Sequence, residues 1–171
     1  MIGVPTGWTD VLHAPREELE AKLPGIYDQI HQVAEAVHMQ LMAIDLRQDS
    51  PSVGATMLLQ QVDYPAPVDE HFLTNLIEHN TLGRGPGDTV EKKLLSVRGR
   101  PVAKWLTEYD EPQGNSGRTV MLLYYFAADS GEVMQLMFVV RAEVFAKVRP
   151  QLETIEGGDP AQAIILEHQP H

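Results

Sequence analysis

The stretch that most restricts the fold is TVMLLYYFAADSGEVMQLMFVV, residues 119–140. Two apolar runs flank Asp129-Ser130-Gly131, a turn-forming triplet. A strand sends successive side chains to opposite faces. In the first run one face carries Val120, Leu122, Tyr124 and Phe126, and the other Met121, Leu123 and Tyr125. In the second, Val133, Met137 and Val139 share a face with a lone Gln135, while Met134, Leu136, Phe138 and Val140 form the other. A strand with one wet face alternates apolar and polar residues, and these do not. They belong in the middle of a sheet covered on both sides. The alternative is a sheet with one face left for an oligomer partner, as in a homodimer.

The chain supplies covers for such a sheet. Leu19, Leu23, Ile26, Ile30, Val33 and Val37 recur every three or four residues, which is one face of a helix. Pro24-Gly25 interrupts them, and proline inside a helix costs about 3 kcal/mol. The spacing therefore predicts a short helix over 15–22 and a main helix over 24–39. Phe72, Leu73, Leu76 and Ile77 predict a helix over 68–83, with acidic residues in its first turn and Gly83 at its end. Val144, Phe145, Val148 and Leu152 predict another over 141–158.

Strands fill the remainder. IGVP (2–5) reads as an edge strand or extended arm, turned by Thr6-Gly7. LMAIDLR (41–47) and ATMLLQQVDY (55–64) read as strands, and VEKKLLSV and PVAKWLTEYD as a hairpin around Arg98-Gly99-Arg100. The order is β-α-β-β-α, then four strands, then α. The fold class is α+β, an α/β/α sandwich with a largely antiparallel central sheet. One domain over 1–157 and a C-terminal tail over 158–171 are expected, the tail's AIIL either adding to an edge or packing on the core.

Bulk properties exclude several function classes. The 171 residues include no cysteine, which removes disulfides, thiolate metal sites and cysteine nucleophiles. A formal net charge of −11 repels phosphate backbones, so nucleic acid is not an expected partner. No apolar run approaches the roughly 18 residues of a membrane span. MIGVPTGWTDVLH lacks a basic n-region and a long apolar stretch, so it does not read as a signal peptide. A cytoplasmic protein is expected, an exported form with its leader removed being the alternative.

Positive charge is scarce and clustered. Arg84, Lys92, Lys93, Arg98, Arg100 and Lys104 hold six of the 13 Lys and Arg. Either they solvate strand faces and neutralise Glu91, Glu108 and Asp110, or Lys92, Lys93, Arg98, Arg100 and Lys104 form a patch for an acidic partner. His31, Glu35 and His38 form H-x3-E-x2-H, a helical spacing that can bring three ligands to a metal. The stripe Ile26, Ile30, Val33, Val37 lies beside them and turns them partly to solvent, the reading of a plain polar face. His71, Glu78 and His79 give a weaker version. No G-x-S-x-G elbow occurs, and GRGPG (83–87) lacks a following Lys-Ser/Thr, so it reads as a flexible connection. No cofactor is implied. Trp105 alternates with Ala103 and Thr107 and reads as core; Trp8 could staple the N-terminal arm to the sheet.

Order and pattern together resemble the Mog1/PsbP-like superfamily. The likeness lies in the hairpin RGRPVAKW, a polar loop, the strands VMLLYYFA and EVMQLMFVV, a terminal helix carrying Phe145, and the early VPTGW. It covers most of residues 1–156. The long helical region directly after Trp8 departs from the simplest form of the pattern. The resemblance implies a binding or accessory module: members assist photosystem II, bind a nuclear-transport GTPase, or act as bacterial lipoproteins and secretion chaperones. It brings no shared catalytic residues. The expectation is a non-enzymatic protein acting through contacts with a protein partner of unknown identity. The alternative is a small metal-dependent enzyme using His31, Glu35 and His38.

Overall fold

A computed structural model describes residues 4–47, 49, 53–63, 69–79, 87–110 and 117–153. In chain order the elements are β1 (Thr9–Asp10), α1 (Arg16–Lys22), α2 (Tyr27–Ala36), β2 (Met39–Ile44), β3 (Thr56–Val62), α3 (Glu70–His79), β4 (Gly87–Val97), β5 (Arg100–Asp110), β6 (Arg118–Ala127), β7 (Val133–Arg141) and α4 (Ala142–Leu152). The seven strands form one sheet in the order β1-β2-β3-β7-β6-β5-β4, and every pair is antiparallel. The protein is thus α+β, with four helices and an antiparallel sheet.

The twice-apolar hairpin is β6 and β7, and both strands lie inside the sheet. Val120, Leu122, Tyr124, Phe126, Leu136, Phe138 and Val140 share one buried cluster with Phe145, Val148 and Leu152 of α4. Leu123, Tyr125 and Val133 point the other way, into a cluster with Leu73 and Leu76 of α3 and with Trp105. On that second face a separate cluster joins Leu19 of α1 and Ile30 of α2 to Val11, with Met42 and Ile44 of β2 packed against it. Gln135, the one polar residue of β7 before its terminal Arg141, lies between the two groups. Its amide donates to the Tyr125 hydroxyl and its carbonyl accepts from Gln60 of β3, a polar ladder across three strands.

The N-terminal segment is fastened at Gly7. Gly7 has φ +84, a backbone conformation that favours glycine, and it lies close against the Arg47 guanidinium. Arg47 is held by two hydrogen bonds of 2.9 Å to Asp45, whose side chain is fully buried. The next residue, Trp8, enters the α4-side core.

Three expectations change. Of the two readings of IGVP the strand falls, since Val4-Pro5 is not in a strand and the first strand is Thr9–Asp10, while an extended arm is not contradicted. The main helix is shorter than its apolar spacing, because the chain reverses through Val37 and His38, the latter at φ 50, straight into β2. Val37 consequently leaves the core, and Val33, although still within α2, is exposed as well. The last helix stops at Leu152 rather than 158. The expected tail over 158–171, with AIIL, lies outside the described residues, as does most of GRGPG. Among the described residues no helix is long and apolar enough to cross a membrane.

Candidate functional site

The β4–β5 hairpin carries most of the clustered cations, and its turn shows how the chain holds them. Val97 pairs with Arg100, leaving a two-residue connection of Arg98 (φ 51) and Gly99 (φ 81). Two left-handed central residues are the turn that matches strand twist, usually built from Asn-Gly or Asp-Gly. A left-handed non-glycine residue costs about 1–2 kcal/mol, and here that residue is a tip arginine. Arg98, Gly99 and Arg100 are all exposed.

Along β4 the alternation divides the lysines. Lys92 stands opposite Trp105, on the α3 side, and Lys93 opposite Lys104, on the α4 side; both are exposed. Lys104 differs from the expectation: its side chain is fully buried, so its ammonium is not part of the exposed patch. It bonds Glu153 at the end of α4 and lies 3.4 Å from Glu91. Arg149 completes this network, 2.9 Å from Glu91 and 2.8 Å from Glu153. Lys93 Nζ is 2.8 Å from the Glu91 carboxylate. The ammonium of Lys93 first, and then Arg149 and Lys104, hold the Glu91 carboxyl down at about 2 against the opposing effect of burial. Burial opposes charge on Arg149, but Glu91 and Glu153 hold it above its ordinary value.

The expected neutralisation is therefore partial. Glu91 is paired with the patch, and Arg100 bonds Asp129 across the neighbouring turn. Glu108 and Asp110 instead pair with Arg118, each at 3.3 Å. Arg84 lies outside the described residues. Sequence reasoning missed Arg149 and Glu153; their i,i+4 spacing of opposite charges was the available signal.

His31, Glu35 and His38 are not brought together. The His31 ring stacks on Tyr27 at 4.0 Å, and its Nδ1–H donates to the Tyr27 carbonyl. α2 ends at Ala36, and His38 sits in the reversal beyond it, off the helical register the spacing assumed. Among the described residues no group of three His, Asp or Glu side chains could hold a metal ion. His71 is engaged with Asn75, and His79 with Glu78. Both tryptophans are buried, and neither indole N–H has a partner among the described residues. Neither ring presents a surface platform.

No protein-family model matches this chain, and no curated protein matches it. Among solved structures it is similar to a protein of unknown function, PA94, from Pseudomonas aeruginosa, with 6% identity over 71% of this chain and 78% of that one and a TM-score of 0.47. It is similar also to a mutant of the protein Mog1, with 11% identity over 91% of this chain and 78% of that one and a TM-score of 0.47. At these values neither likeness assigns a role to the chain.

Proposed function

We propose that this chain is a binding or accessory protein acting through contacts with another protein, and that the partner meets it at the β4–β5 hairpin. The architecture is read as an α/β/α sandwich, supported by the separate buried clusters that α3 and α4 form on opposite sides of β6. The observation that carries the functional reading is the placement of exposed Lys92, Lys93, Arg98 and Arg100 on one hairpin of a chain with net charge −11. Most of such a surface repels an acidic protein, and one cationic hairpin at the sheet edge steers it there, Lys92 and Lys93 flanking that edge on opposite sides. Rigidity supports the same reading, because the network of Glu91, Arg149, Glu153 and Lys104 ties β4 and β5 to α4.

The test starts with capture of partners from native extract and proceeds to association kinetics. Charge reversal at Lys93, Arg98 and Arg100 together should slow association at least tenfold and flatten its salt dependence. An unchanged association rate would reduce the cluster to surface ion pairing.

A further inference from the structure

The two edges of the sheet are unequal. β1 has 2 residues, whereas β4 has 11 and, among the described residues, pairs with β5 alone. A long edge presents a row of backbone donors and acceptors that another strand can complete. The turn fixes which ones. In a two-residue hairpin the closing pair, Val97 and Arg100, exchanges its hydrogen bonds within the hairpin. The next pair, Ser96 and Pro101, must then be the non-bonded kind, and Pro101 has no N–H to donate, which fits. The N–H and C=O of Ser96, and by the period of two those of Leu94, face outward. A register shift between Thr89 and Glu91 ends this regular stretch on the far side.

Charge selects what can dock there. Antiparallel self-pairing about the centre of β4 sets Lys92 against its own copy, and like charges directly opposite disfavour a pair. Much of the rest of this acidic chain repels an acid. Lys92, Lys93 and Arg98 along the edge and its tip attract one. We infer that the β4 edge is a strand-addition site for an acidic, extended segment of a partner protein. Its backbone completes the ladder at Leu94 and Ser96, and its carboxylates are drawn to the positive charge of the hairpin. The inference rests on the hairpin reading above and gives the partner its chemistry.

Three synthetic peptides test it: one alternating Val or Thr with Glu, its counterpart with Lys in place of Glu, and the acidic peptide N-methylated at alternate amides. N-methylation removes ladder donors and keeps the charge. Binding is read by fluorescence anisotropy at about 0.15 M salt, where screening is physiological. The acidic peptide should bind at least tenfold tighter than the other two, and should slow amide exchange at Leu94 and Ser96. Ser96→Pro, acceptable on an edge strand whose N–H faces solvent, should lose binding in the same proportion. If Ser96→Pro fails to fold, the N-methylated peptide on the unaltered protein decides alone. Equal binding of acidic and N-methylated peptides overturns strand addition while leaving the cationic hairpin reading standing. Equal binding of acidic and basic peptides, or of none, overturns the inference. The hairpin reading falls separately, if charge reversal leaves association with a captured partner unchanged.

Discussion

On the α4 side of the sheet, buried side chains run without a break from Trp8 and Leu41 through Leu122 and Phe138 to Leu152. The opposite side is divided. α3 covers Trp105, Leu123 and Tyr125, α1 and α2 cover the region of β2, and the middle of β7 between them shows Gln135, Met137 and Val139 only half-buried. The same strand thus has one fully dry side and one side where a polar ladder replaces apolar packing. Continuity of burial, rather than apolar content alone, decides how much each side contributes to stability, since a removed side chain matters in proportion to how completely its neighbours enclosed it.

Neighbouring substitutions on β7 probe that contrast most strongly. Phe138→Ala, on the continuous side, should cost about 3–5 kcal/mol. Met137→Ala, one residue away on the divided side, should cost about 1 kcal/mol, because the side chain is only half enclosed. Urea denaturation measures both, and equal losses would erase the distinction between the sides.

The next effect comes from the charges that fasten α4 to the continuous side. Glu91→Gln should destabilise by about 1–2 kcal/mol near neutral pH, leaving Lys104 and Arg149 with one carboxylate fewer. Its sign with pH follows from the depressed Glu91 value. The stabilisation is complete above the ordinary 4.5 and is lost as pH falls toward about 2. The gap between the parent protein and Glu91→Gln should therefore close across that interval, as thermal melts at successive pH values would show. A gap constant with pH would mean that the carboxylate's charge is not what holds α4.

The smallest effect is at the hairpin tip, away from both sides. Arg98→Asn should stabilise by about 1 kcal/mol, since asparagine tolerates the left-handed conformation better. A destabilised Arg98→Asn would show that the arginine side chain supports the fold rather than only occupying its tip.

Much of this architecture was legible in the sequence. The unalternating runs at 119–140 placed β6 and β7 inside the sheet, because period two is a local property that needs no knowledge of partners. The spacing at Leu73 and Leu76 located α3 for the same reason. Helix α2 was overdrawn because apolar periodicity continued through Val37, whereas the chain had already turned at His38; nothing in the spacing records where β2 must begin. The site was less legible. Lys92, Lys93, Arg98 and Arg100 could be read as exposed cations, but Lys104 could not be told from them. Its burial depends on Glu153 arriving from α4, far along the chain, and strand alternation says only which side a residue faces.

The polar ladder and the sheet order also carry a consequence in time. Strands β4 to β7 form a meander of sequence neighbours, and β2 with β3 is a hairpin, so each block assembles from contacts close along the chain. Only β3 against β7 unites them, where Thr56 meets Val139 across α3 and three intervening strands. Local pairings close quickly, and such a distant one waits for the longest loop to be drawn in. Gln60 and Gln135 face each other across that seam. An amide pair at the final joint lets a chain recognise its correct alignment by hydrogen bonds, where a wholly greasy seam would accept a slipped one almost as readily.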